Sequence, residues 1–161
     1  MTLHWTQYLS GATAIYCWLV AGVFLAFSDF IMKSLAAIPP DQAMRAMQSI
    51  NILVFRSIFM VGLFAVSAAS LVFIAMGFFN GGGGSGLLVA AGVIYLISVM
   101  GVTMAGNVPL NNELAVLDPS ATDALQVWQR YLNVWVNWNH VRTLGAAATA
   151  LLMTIATFRL A

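Results

Sequence analysis

Residues 51–106 read NILVFRSIFMVGLFAVSAASLVFIAMGFFNGGGGSGLLVAAGVIYLISVMGVTMAG. Two apolar runs, about Asn51 to Phe79 and Gly86 to Gly106, flank a glycine-rich link. A bilayer core asks for about 20 consecutive apolar residues per helix. Both runs reach that length, and Arg56 is the one charged residue in them. The link, Asn80 to Gly86, is uncharged and reads as a flexible hairpin connection, not a phosphate cradle, since no strand pattern precedes it. The stretch is therefore a transmembrane helical hairpin.

Working outward, a first span runs from about residue 11 to 38 and a fourth from about 141 to 160. The chain reads as all-α, a single four-helix integral membrane domain over residues 1–161. Composition agrees: 61% of residues are hydrophobic, 7% are charged, and the mean hydropathy is +0.92. Soluble domains carry about 25% charged residues. A soluble enzyme, a disordered tail and a disulfide-stapled domain are excluded, and the lipid bilayer is the expected solvent. A net charge of +1 without a basic patch makes nucleic acid an unexpected partner. The single cysteine, Cys17, lies in an apolar run and reads as a buried, inert thiol. The stretch before the first span has no Lys or Arg, and the apolar run exceeds a signal-peptide core, so it reads as a retained helix.

Charge gathers in the connections 28–50 and 107–140. Lys33, Arg45 and Arg130, with Arg56 and Arg142 near the helix ends, face one side; Arg159 faces the other. The positive-inside rule places the connections in the cytoplasm and both termini outside, in a plasma or inner membrane. Pro39-Pro40-Asp41 reads as a helix stop and restart with Asp41 as N-cap, and Asp118-Pro119-Ser120 as the start of the fourth helix. Amphipathic extensions are expected over about 41–50 and 119–140. Gly62, Gly101 with Ala105, and Gly145 to Ala148 are small enough for close helix contact. A homo-oligomer is left open.

Polar groups at membrane depth are costly and mark function by default. Here they collect at one end. Gln48 and Asn51 share a stripe with Met44, Met47 and Phe55. Met100, Thr103, Met104 and Asn107 share a face of the third helix, and Asn111 follows. Trp128, Tyr131, Trp135, Trp138, Asn139 and Arg142 share a face of the fourth; Asn133, Asn137 and His140 form a second. Such a wall of rings, amides and cations suits a flat, partly polar ligand. The same residues also admit structural readings. The rings form an interfacial belt, the amides bridge helices, and the arginines snorkel or pair with Asp29 and Glu113. No metal-binding or nucleophile motif of the HExxH, CxxC or GxSxG type is present, nor a P-loop or GxGxxG. With His4 and His140 far apart, bis-histidine haem is not expected. A single-histidine metal or haem site, using His140 with Glu113 or Asp29, stays open. No cofactor is expected.

The stretch TMAGNVPLNNELA (103–115), followed by WQRYLNVWVNWNHVRTLGAAATA (128–150), resembles the anthrone oxygenase-like membrane family. The likeness is strongest over 107–142, and the Met47-Gln48-Ile50-Asn51 pattern is similar too. The resemblance implies a monooxygenase that converts an anthrone, a fused-ring phenolic, to a quinone with dioxygen and without a bound cofactor. It also implies a shared site of Asn107, Asn111, Trp135, Trp138, Asn139, His140 and Arg142. Histidine is the side chain suited to accept a proton near neutrality, the role the resemblance implies for His140. Arg142 and Asn139 would stabilise charge, while Asn107, Asn111, Asn51, Trp135, Trp138 and Gln48 would bind an anthrone- or quinol-like hydrophobic small molecule. The rival readings are a non-enzymatic membrane scaffold or binding protein, and the single-histidine redox protein.

Overall fold

The computed structural model describes residues 3–80 and 85–160. The glycine link expected to be flexible falls at 81–84, outside the described residues, and the side chain of His4 is likewise outside them. The described chain is helical without a strand. Four stretches are long and apolar enough to cross a membrane: Trp5–Ala36, Ile58–Phe79, Ser85–Ala115 and Ala124–Arg159. The protein is an all-α four-helix membrane bundle.

The first rod is α1 (Leu3–Ala26), a π-helical turn (Phe27–Ile31) and α2 (Met32–Ala36). The register changes where the Phe24 carbonyl accepts a hydrogen bond from the Asn139 side chain. A group inserted into the backbone ladder is an ordinary cause of such a bulge. Next comes α3 (Pro40–Leu53). Its N-cap position is Pro39, not Asp41 as the sequence implied. Pro40 holds Pro39 extended and supplies a helix-ready φ at the first helical position, so Asp41 falls in the first turn beside the positive end of the dipole.

The second apolar run is not one helix. A 3₁₀ turn (Val54–Arg56) follows α3, Ser57 is extended, and α4 (Ile58–Asn80) starts afresh. Ser57 caps the new helix: its Oγ accepts from the Met60 amide at 3.3 Å and donates to the Val54 carbonyl at 2.6 Å. Asn51 therefore belongs to the amphipathic helix before the span.

The third rod runs further than its apolar run. It comprises α5 (Ser85–Tyr95), π-helical turns (Leu96–Gly101 and Thr103–Asn107) and α6 (Val108–Ala115). Pro109 lies just after the second π-helical turn, where the altered backbone ladder accommodates a residue without an N–H. The connection expected to open at 107 starts after Ala115. The fourth rod, α7 (Ala124–Arg159), begins later than Pro119 implied. Asp118 instead closes its own turn, accepting from the Ser120 amide at 2.9 Å and hydroxyl at 2.7 Å. Those bonds hold the exposed Asp118 carboxyl below its ordinary pKa. At 1.5 Å per residue α7 is roughly 54 Å long, well beyond a hydrocarbon core of about 30 Å.

Along that length α7 enters two cores. One lies deep in the bundle, around Cys17, Val20, Phe73, Tyr95, Ala146 and Met153. Helices there meet over small residues. A Cβ on Gly62 would collide with the Tyr16 ring, one on Gly145 with the Ser98 side chain, and one on Gly92 would stand 2.8 Å from the Ser70 carbonyl oxygen. Gly101 has no neighbouring helix in reach and Ala105 is exposed, so that expected contact does not form. Hydroxyls tie the seams: Tyr95 to the Leu63 carbonyl at 3.1 Å, and Ser10 to Thr157 at 2.8 Å. The second core joins α2, α3, α6 and the start of α7 around Met44, Met47, Leu114, Trp128, Tyr131 and Trp135.

Candidate active-site cavity

Between the two cores lies a cavity of about 430 Å³. Phe24 and Phe27 of the first rod, Met47, Ile50 and Asn51 of α3, Phe59, Met60 and Leu63 of α4, and Met100, Thr103 and Asn111 of the third rod line it. Trp135 and Arg142 of α7 are part of the same wall. Apolar walls with a few convergent polar groups are the usual form of a small-molecule site.

Arg142 is the charged residue in that wall, and it is 6% exposed. One Nη donates to the Asn139 Oδ1 at 2.6 Å and the other to the Thr103 hydroxyl at 3.4 Å. Nε has no hydrogen-bond partner. The guanidinium lies 4.4 Å from the centroid of the Phe24 ring and 5.1 Å from that of Trp135. Among the described residues the ion pairs are Lys33–Asp29 and Arg130–Glu113, so no carboxylate neutralises Arg142. A buried charge is normally paired, and leaving it unpaired is expensive.

Asn139 is fully buried and satisfied. Its Nδ2 donates to the Phe24 carbonyl and the Ser28 hydroxyl, each at 2.6 Å. Both acceptors turn the amide oxygen toward Arg142. Asn139 thus fixes the guanidinium and locks α7 to the first rod, but does not line the cavity. Ser28 is the residue that sequence reasoning missed; its place in the π-helical turn carries no sequence signal.

A second polar edge comes from Asn111. Its Oδ1 accepts from the Tyr131 hydroxyl and the Trp135 Nε1, both at 2.8 Å. An indole N–H only donates, so the amide orientation is fixed. Asn51 Nδ2 reaches the Tyr131 hydroxyl at 3.5 Å. Trp128, Tyr131 and Trp135 stack along α7, with centroids 5.6 and 5.8 Å apart. All three are buried, so they form an internal stack, not an interfacial belt.

The remaining candidates lie elsewhere. Gln48 Nε2 donates to the carbonyls of Leu114 at 2.8 Å and Leu117 at 3.0 Å, closing the end of α6. Asn107 is buried, with Nδ2 on the Trp135 carbonyl at 3.1 Å and Oδ1 unpartnered. Trp138 is 41% exposed and covers Gly106, where a Cβ would stand 2.7 Å from the indole. Met104 is exposed on the face expected to hold Asn107, because the π-helical turns rotate the two residues apart. His140 is exposed and lines a separate groove of about 460 Å³ with Asp29, Lys33 and Asn133. Two residues along a helix is a rotation of about 200°. The structure therefore separates His140 from Arg142, which sequence reasoning had grouped. His140 and Asp29 line the same groove, while Glu113 is paired with Arg130.

Fold and site together define a four-helix membrane protein with an apolar cavity backed by a buried arginine. The chain belongs to the anthrone oxygenase family, which it matches over residues 53–152. The matched segment holds Asn111, Trp135 and Arg142. No curated protein and no solved structure matches the chain.

Proposed function

We propose that the protein is a membrane monooxygenase that oxidises a fused-ring phenolic ketone of the anthrone type within this cavity. The observation that carries the reading is Arg142, a buried guanidinium in the wall of an apolar cavity with no carboxylate beside it. A ketone oxygen placed on it gains most when charge develops there. Loss of a proton from the ring CH₂ sends the electron pair onto that oxygen, and the guanidinium stabilises the resulting oxyanion. The carbanion form then reacts with dioxygen. A C–O bond forms, the resulting peroxide anion takes up a proton from water, and the hydroperoxide at that carbon loses water to leave a second carbonyl. One oxygen atom enters the product and the other leaves as water. The substrate supplies all four electrons, so no metal, haem or external reductant is invoked. The ring proton passes to water and not to His140, whose ring stands on the other groove. Trp135 and Phe24 flank the flat substrate, while the Asn51–Tyr131–Asn111 edge orients a phenolic oxygen.

The exposed Lys33, Arg45, Arg56 and Arg130 support a cytoplasmic position for the site end, with both termini on the far side of a plasma or inner membrane. Oxygen uptake by the purified protein with 1,8-dihydroxyanthrone tests the reaction. The expected result is one dioxygen consumed per quinone formed. Uptake no faster than without protein overturns it.

A further inference from the structure

The wall of the cavity is not uniformly buried. Arg142 and Trp135, at its polar end, are 6% and 5% exposed. At its other end Leu53, Phe55, Phe64 and Met104 are 57–69% exposed. Phe64 and Met104 lie within membrane-spanning stretches of α4 and the third rod, and Leu53 and Phe55 lie just before the Ser57 break. The cavity therefore reaches the outer surface of the bundle through a rim of large apolar side chains, at a level where that surface meets lipid.

The backbone explains why the rim is there. α4 packs closely on α5, with Gly92 under the Ser70 carbonyl, but touches the π-helical turns beyond α5 far less. At Ser57 the chain turns away, so α3 does not continue α4 across the gap. The seam between the start of α4 and Thr103–Asn107 is left without a covering helix, and rings and a flexible methionine border it. Water gains nothing by wetting such a rim, whereas a lipid-dissolved molecule crosses it without desolvation.

From this, and resting on the reading of the cavity above, we infer that the substrate reaches the site sideways from the bilayer. It is a neutral, membrane-dissolved aromatic that passes between Phe64 and Met104 with its oxygen-bearing end leading toward Arg142. Ionisation follows binding, because a phenolate or carboxylate formed in water would have to shed its hydration to cross the same rim.

Reversible blockage of the rim tests the route. Met104→Cys, reconstituted in phosphatidylcholine vesicles, is treated with an alkyl methanethiosulfonate, and its rate of binding 1,8-dihydroxyanthraquinone, a non-reacting probe, is followed by stopped-flow tryptophan quenching. Phe78→Cys, exposed at the far end of α4 and remote from the cavity, is the matched control. Native Cys17 is buried, and the treated parent protein reports any reaction there. The expected result is a fall of about tenfold or more in the association rate for alkylated Met104→Cys, reversed by reduction, with Phe78→Cys unchanged. An unaltered association rate in fully alkylated Met104→Cys, together with loss of binding in Arg142→Gln, overturns the lateral route and leaves the cavity reading standing. Binding that neither change affects, or no binding by the parent protein, overturns both.

Discussion

The two ends of α7 solve opposite packing problems. Beyond Thr143 its inner face is Gly145, Ala146, Thr149, Ala150 and Met153, and the helices close until side chains such as Ser98 occupy the place of a Cβ. Before Thr143 the inner face is Trp128, Tyr131, Trp135, Asn139 and Arg142. There the neighbours are held apart by rings and tied by amide bonds. Small residues bring backbones together by van der Waals contact, since lipid supplies no hydrophobic drive. Large, hydrogen-bonded ones brace the helices and leave a void. The cavity is thus a consequence of bulk at one end set against smallness at the other.

The sharpest way to break that contrast is at the braced end. Arg142→Gln keeps the shape but removes the charge from the cavity wall, and turnover is expected to fall about 100-fold or more, as for loss of an oxyanion donor. Oxygen uptake measures it, with thermal unfolding in detergent showing that the bundle persists. At the closed end, Gly92→Val should do the reverse. Its Cβ alone would stand 2.8 Å from the Ser70 carbonyl oxygen, and overpacking of this kind costs about 1–3 kcal/mol. Melting temperature should drop, with turnover lost only in proportion to unfolded protein.

Asn139→Ala belongs to both ends. It leaves the Phe24 carbonyl and Ser28 without a donor and frees Arg142, so a stability loss of about 1–3 kcal/mol should accompany reduced turnover. The Arg142→Gln effect on turnover should then shrink in the Asn139→Ala background, which a double-mutant cycle reads directly. His140→Ala should change turnover by no more than about twofold, the range in which an exposed residue outside the site is indistinguishable from parent. A loss as deep as that of Arg142→Gln would restore His140 to the reaction.

The smallest effect is at the loop before α7. The Asp118 carboxyl is lowered in the folded protein by the Ser120 bonds, so its contribution is present at neutral pH, above the unfolded pKa. That contribution disappears as pH falls through the lowered folded value. Ser120→Ala should depress the melting temperature slightly at pH 7, and the difference should vanish in acid. A difference that grew on acidification would contradict the sign.

Four helices, their membrane character and the crowding of polar residues at one end follow from the chain itself. Length and hydropathy set which segments lipid accepts, and both are local properties. Arg142, Asn111 and Asn51 were legible as candidates because amides and cations at membrane depth carry a desolvation cost that a bundle seldom bears without using them, and the structure brings them with Trp135 to one cavity wall. The Ser57 break carried a signal too, a serine directly before an apolar run, but the apolar run on both sides masked it.

Other decisions required the third dimension. An ideal 3.6-residue period cannot anticipate π-helical turns, and these turned Met104 outward, Asn107 inward and Ser28 toward Asn139. Nor can sequence tell an amide that faces a cavity from one that bonds a distant carbonyl. Gln48 and Asn139 became braces because Leu114 and Phe24, far away in the chain, present free carbonyl lone pairs to them. The separation of His140 from Arg142 has the same origin. Adjacency along a helix says which residues share a level, and only the packing of neighbouring helices decides which of them share a space.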